Sequence, residues 1–138
     1  MRLWHQKLIT KLPRQQLLGQ HRECCALRGK GWGRKHSVVN YVFNYNPAYL
    51  VAYHQLIMNE MERRGYNPNS VWRDYQWRGD TLGREDSWAH CGTVIDLLVY
   101  GDIIYPEHND EYMCECIDNL KSKGIIIDWS EENETLGR

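Results

Sequence analysis

The sequence predicts an all-α protein, a single compact irregular helical bundle with long surface loops. Two observations carry this. Apolar residues recur at helical spacing in several stretches bounded by Pro or Gly, and those stretches are separated by long segments rich in aromatics, arginine and glycine. A chain of 138 residues is also the usual size of one folding unit, so residues 1–127 are expected to share one core, followed by an acidic, mobile tail over 128–138.

The first helix is predicted from Pro13 to about Leu27, with Leu17, Leu18, His21 and Cys25 at helical spacing and Pro tolerated in the first turn. Gly29, Gly31 and Gly33 end it inside a basic loop, Arg28 to His36. Val38 to Tyr45 mixes β-branched and aromatic residues and is open between an extended piece and a helical turn. The second helix is bounded by Asn46 as cap, Pro47 in the first position and Gly65 after Arg63 and Arg64. Its apolar face is read as Leu50, Tyr53, His54, Ile57, Met58 and Met61. Tyr66 to Glu85 is a loop, Trp88 to Tyr100 a third helix closed by Gly101, and Pro106 opens the last helix, which ends before Gly124.

Composition narrows the function classes. No stretch approaches the roughly 20 apolar residues that cross a bilayer. The start, Met1-Arg2-Leu3-Trp4-His5, lacks the apolar run of a signal peptide, so the expected compartment is the cytoplasm, away from membranes. Five cysteines, an odd number with two adjacent, suit reduced thiols better than a disulfide framework. No Cys-x-x-Cys spacing occurs, so no metal or other cofactor is expected.

The net charge of −1 conceals a strong asymmetry. Up to Asn69 there are eleven Lys or Arg against three acids, and from Ser70 onward six against fifteen. A positive field of that kind most often serves a phosphate backbone, which makes double-stranded DNA the expected partner of a monomer. The alternative is that the two halves neutralise each other across the fold. Within the basic half, Glu23 is a single carboxylate among Arg22, Arg28, Lys30, Arg34 and Lys35, close in sequence to Cys24 and Cys25. A carboxylate so placed is a candidate for chemistry at a cleft edge. Trp32, between two glycines of the basic loop, is the aromatic best suited to stack on or wedge between bases.

The run Leu8-Ile9-Thr10, Leu12, Gln15, Leu17, Arg22-Glu23 resembles the N-terminal segment of the pyrimidine-dimer DNA glycosylase family, the endonuclease V type. His36 to Tyr41, the helix carrying Leu50, Ile57 and Glu60, and Arg64-Gly65-Tyr66-Asn67 are similar as well, with a fainter echo at Tyr105-Pro106-Glu107-His108. The resemblance implies a compact helical fold, a catalytic glutamate at Glu23, phosphate-holding arginines at Arg2 and Arg22, and the α-amino group at Met1 as nucleophile. Arg28, Lys30, Arg34 and Lys35 are added to the DNA-binding set on charge alone. Gln16 and Ala26 stand where the family carries histidine and arginine, and Arg2 stands where it exposes a small residue by removing Met.

The implied chemistry has a physical rationale. Cleaving an N-glycosidic bond develops positive charge on the sugar, and an amine attacking C1′ gives a Schiff base that can proceed to strand cleavage, an AP-lyase step. An α-amino group, with a reference pKa of about 7.7–8.0, is far more often neutral at pH 7 than a lysine. Glu23 would stabilise the cationic transition state and shuttle protons. Two other readings use the same residues: a DNA-binding module that has lost the terminal nucleophile, and an interaction domain whose basic and acidic faces associate head to tail.

Overall fold

The computed structural model describes residues 2–35 and 38–129. Met1, His36 and the tail from residue 130 onward, on which some of these expectations fall, lie outside the described residues. The architecture is all-helical: α1 (Arg14–Arg28), α2 (Pro47–Arg63), α3 (Cys91–Val99) and α4 (Asp110–Ser122), joined by 3-10 turns at Gln6–Lys11, Asn40–Asn44 and Ser70–Arg73. Among the described residues the nearest approach to a sheet is one antiparallel bridge, Trp77 to Arg84. No helix among them is long and apolar enough to cross a membrane.

Helix α2 is the central element, packed against α1, α3 and the first two 3-10 turns. Its start is as the sequence predicts, with Asn46 Oδ1 accepting from the Ala48 N–H at 2.9 Å. At its end Gly65 takes φ +89, a left-handed conformation that glycine adopts without strain, and Tyr66 N–H bonds back to Met61. The apolar face predicted for α2 is buried, and so are Val51, Ala52, Gln55 and Glu60, because neighbours cover the helix on several sides. The core runs without a break from Leu3 through α1 and α2 to Leu120.

Several expected boundaries move, each for a local reason. Helix α1 buries Leu17, Gln20, Cys24, Leu27 and Arg28, whereas Leu18, His21 and Cys25 are only half-buried. After its last turn Gly31 N–H bonds to Ala26 O at 2.9 Å, and a Cβ at Gly31 would stand 2.7 Å from that oxygen, so the chain can fold back only with glycine there. Helix α3 begins at Cys91 rather than Trp88, because the Gln76 amide bonds both the N–H (2.7 Å) and the carbonyl (2.5 Å) of Ala89 and holds that segment outside the helix. Pro106 lies in a turn, not in α4, which starts at Asp110 under an Asn109 cap bonded to Tyr112 N–H at 2.9 Å. Val38 to Tyr45 resolves to the 3-10 turn. All five cysteines are free, with Cys91 and Cys114 exposed rather than packed.

The N-terminal segment is tied into the middle of the bundle. Gln6 N–H donates to His108 Nδ1 at 3.1 Å, so the other ring nitrogen of neutral His108 donates to the Tyr41 hydroxyl, 2.8 Å away. Burial, reinforced by His5 stacked beside it, pushes His108 from its ordinary 6.5 down to about 3. The folded state therefore keeps this ring neutral while the unfolded chain protonates it below 6.5, and stability present at neutral pH is lost as pH falls toward 3. This group alone is expected to remove about 2 kcal/mol between pH 7 and pH 5. Urea denaturation at both pH values should show the loss, and His108→Gln should flatten the dependence; an equal slope in the variant would contradict the assignment.

Candidate active site

The two flanks of α1 lead to different surroundings. On one flank Gln16, Gly19, Gln20 and Glu23 line a cleft of about 330 Å³. The other walls come from Arg2 and Trp4 of the N-terminal segment, Val38 after the basic loop, and Asn119 and Lys123 at the end of α4. Gln20 holds this arrangement together. Its Oε1 accepts from the Trp4 N–H at 2.6 Å and its Nε2 donates to the Arg2 carbonyl at 2.9 Å, which fixes residues 2–4 along α1 one turn before Glu23. The Tyr53 hydroxyl of α2 donates to Trp4 O at 2.6 Å, and the Tyr112 hydroxyl of α4 to Leu3 O at 2.5 Å. Three helices thus determine where the second residue of the chain lies.

Five buried side-chain polar atoms lack a hydrogen-bond partner among the described residues, and three of them belong to this cleft: Arg2 Nη1, Glu23 Oε2 and Asn119 Oδ1. A buried polar atom left unpaired costs roughly 1–3 kcal/mol, so three of them in residues lining one cleft single it out as the candidate site. They are a guanidinium nitrogen, a carboxylate oxygen and an amide oxygen, buried in residues that line the cleft together with the Trp4 indole. Arg2 Cζ lies 5.8 Å from the Trp4 ring centroid and Lys123 Nζ 5.3 Å from it, so two cations share one aromatic wall.

The residues expected from sequence fall into distinct groups. Arg2 and Glu23 come together on the cleft. Arg22 is exposed beside it, its Nη2 within 3.8 Å of where a Cβ on Gly19 would stand. Lys30, Arg34 and Lys35 are exposed on the loop that leads toward Val38. Trp32 is half-buried, its ring edge-on to Phe43 (5.0 Å) and Trp88 (5.4 Å), a packed position rather than a free wedge.

Arg28 departs from the expectation entirely. It is 0% exposed and offers a phosphate nothing. Its Nη1 donates to Trp72 O at 2.9 Å and meets His54 Nδ1 at 3.1 Å, and its Nη2 donates to Asp74 O (2.7 Å) and Trp77 O (3.0 Å). Burial lowers its pKa to about 10, so it stays a cation at neutral pH, solvated by the carbonyls of the 72–77 segment. Other basic residues are also engaged: Arg63 and Arg64 with Glu60, and Arg73 with Glu62. Glu60 and Glu62 are already set against the bases in the charge count, so of these residues Arg28 is the one whose burial takes a counted charge off the surface.

The other flank of α1 brings His21 and Cys25 to His54 of α2, with one ligand-type atom from each within 4.8 Å of the others. The sequence reading did not join these residues, since nothing in it pairs α1 with α2 at that register. The donor set suits a soft divalent cation, but Arg28 decides the tautomer: a guanidinium only donates, so His54 Nδ1 accepts and Nε2 carries the proton. That proton is directed at His21 Nδ1, 2.8 Å away, and the pair is a hydrogen-bonded chain rather than two lone pairs facing an ion. Burial first, then Arg28 and His21, push His54 well below its ordinary pKa and keep it neutral.

Asn119, Lys123, Trp4 and Gln20 are the cleft residues that sequence reasoning missed. Asn119 and Lys123 stand one helical turn apart on α4, which is the one signal that links them to each other; no signal links them to α1. In comparison with known proteins, a family model described as pyrimidine dimer DNA glycosylase matches residues 1–74, just over half of the chain. No curated protein and no solved structure matches.

Proposed function

The chain belongs to the pyrimidine dimer DNA glycosylase family, and from that premise we propose that it excises a damaged pyrimidine from double-stranded DNA at the Glu23 cleft. The observation that carries the proposal is that Arg2, Glu23 and Asn119, which line one cleft, each hold a buried polar atom without a partner among the described residues: Nη1, Oε2 and Oδ1. A sugar and base turned out of the duplex supply what those atoms lack: acceptors for the guanidinium, donors for the two oxygens, and a cationic centre for the carboxylate to stabilise. Arg22, Lys30, Arg34 and Lys35, exposed around the cleft and its loop, hold phosphates. An amine in the cleft would extend excision to a Schiff base and strand cleavage.

The test is base release from a duplex with a single cyclobutane pyrimidine dimer against the undamaged duplex, at matched low salt. Release from the damaged duplex alone supports the proposal. Tight binding of both duplexes with release from neither would favour the binding-module reading. Affinity should fall steeply with salt, and the Arg34→Ala, Lys35→Ala double variant should weaken binding to every duplex alike, reducing the salt slope by roughly 2. A loss confined to one sequence would contradict a phosphate role.

A further inference from the structure

We propose that Gln20 is a positioning residue for the reaction at Glu23: its amide holds the start of the chain along α1 so that the α-amino group at Met1 reaches the sugar of a nucleotide in the cleft. The inference rests on the excision reading and on a terminal amine as the Schiff-base nucleophile. Gln20 is 2% exposed, and both ends of its amide serve the first four residues of the chain. Oε1 accepts from the Trp4 N–H at 2.6 Å and Nε2 donates to the Arg2 carbonyl at 2.9 Å. A backbone N–H only donates and a carbonyl only accepts, so these two partners fix which way round the amide stands. The Tyr53 hydroxyl lies within hydrogen-bond reach of both Trp4 O (2.6 Å) and Gln20 Oε1 (3.0 Å), which closes the tether against α2.

Glu23 stands three residues after Gln20 on α1, and Arg2, Gln20 and Glu23 line the same cleft. Consecutive Cα atoms are about 3.8 Å apart, so an α-amino group at Met1 stays within a few ångströms of a held Arg2. Chain ends ordinarily fray, and a nucleophile on a frayed end loses the orientation that makes its attack fast. Gln20 removes that freedom at the residue next to the amine. At an abasic site the neutral amine gives its electron pair to the C1′ aldehyde carbon, and the aldehyde oxygen takes a proton from the nitrogen. The carbinolamine gains a proton from solvent and loses water, leaving a protonated C1′=N linkage. Borohydride delivers hydride to C1′ and makes the bond permanent. Gln20 touches none of these atoms; it sets how often the amine stands within reach of them.

The test measures adduct formation at a saturating concentration of a duplex with one abasic site, together with duplex affinity, each well below the melting temperature of the protein used. Gln20→Met keeps the length of the side chain and removes both bonds. It is expected to lower the adduct rate at least tenfold, since a misplacement of about 1 Å costs on the order of a hundredfold. Affinity should stay within twofold, and the share of deoxyribose that peptide mapping finds on Met1 should fall in favour of lysines. Gln20→Glu keeps the acceptor for Trp4 and, when ionised, lacks the donor for Arg2 O. Its loss should be smaller and should shrink from pH 8 to pH 5, where a protonated carboxyl donates to that carbonyl again. A purely structural role would lower rate and affinity together and leave the share on Met1 unchanged. Rates within twofold of wild type in both variants, a loss of rate matched by an equal loss of affinity, a Gln20→Glu loss indifferent to pH, or wild-type adduct mapped to a lysine would overturn the proposal. Wild-type release of the base from the dimer duplex without adduct overturns the role of Gln20 and leaves excision standing. The expected pattern at an abasic site, with no release from the dimer duplex, does the reverse.

Discussion

Replacing Glu23 by Gln is expected to lower single-turnover base release by roughly 10²–10⁴-fold while leaving duplex affinity nearly unchanged. The substitution removes charge and basicity with little change of shape. Glu23 Oε2 has no hydrogen-bond partner among the described residues, so exchanging it for an amide nitrogen breaks no bond to any of them at that atom. The neighbouring geometry is held by other residues, chiefly Gln20 with its bonds to Arg2 and Trp4. The variant should therefore melt at or slightly above the wild-type temperature, since one buried, unpaired carboxylate oxygen has been relieved. Glu23→Asp keeps the charge but withdraws it by one methylene and should fall between the two. Parallel measurement of single-turnover rate, equilibrium binding at fixed salt and thermal melting separates these effects. A Glu23→Gln rate within threefold of wild type would remove the carboxylate from the mechanism.

Arg28→Ala is expected to cost about 3–5 kcal/mol of stability. Three carbonyls, of Trp72, Asp74 and Trp77, would lose their charged donor in the interior. The Trp72 ring would lose the guanidinium 5.0 Å from its centroid, and a cavity would open where a fully buried side chain had been. Arg28→Met refills part of that volume without supplying donors, so it should recover the packing share and no more. Lys cannot reproduce a planar fork that reaches carbonyls in several directions, and Arg28→Lys should remain well below wild type. Urea denaturation measures each variant. For those that stay folded, the salt slope of DNA binding should match wild type, because Arg28 touches no phosphate. A slope reduced by about 1, with stability intact, would return Arg28 to the DNA-binding set.

The contrast between Arg28 and Arg22, six residues apart on one helix, shows what a one-dimensional reading of charge misses. Both count equally toward a basic half, yet one is exposed beside the cleft and the other solvates a loop from the inside. Glu23 was legible because its setting is local: a lone acid among cations, next to Cys24 and Cys25, in a run that resembles a known family. Asn119 and Lys123 were not, since a helix that returns to the same cleft from nearly a hundred residues away leaves no trace in the residues of α1.

By itself the sequence determined the helical class, the capped span of α2 and the glycine-ended first helix, and it singled out Glu23 as the candidate carboxylate. Those features depend on periodicity and capping within a few residues, where backbone hydrogen bonding and steric limits act regardless of the rest of the chain. Only the tertiary structure decided which flank of α1 faces the cleft, that α4 lends residues to it, that Arg28 is internal, and that His21 and Cys25 meet His54 across α1 and α2. These are questions of which distant groups are desolvated together, and burial, rather than residue type, decides whether a cation binds phosphate or holds a loop.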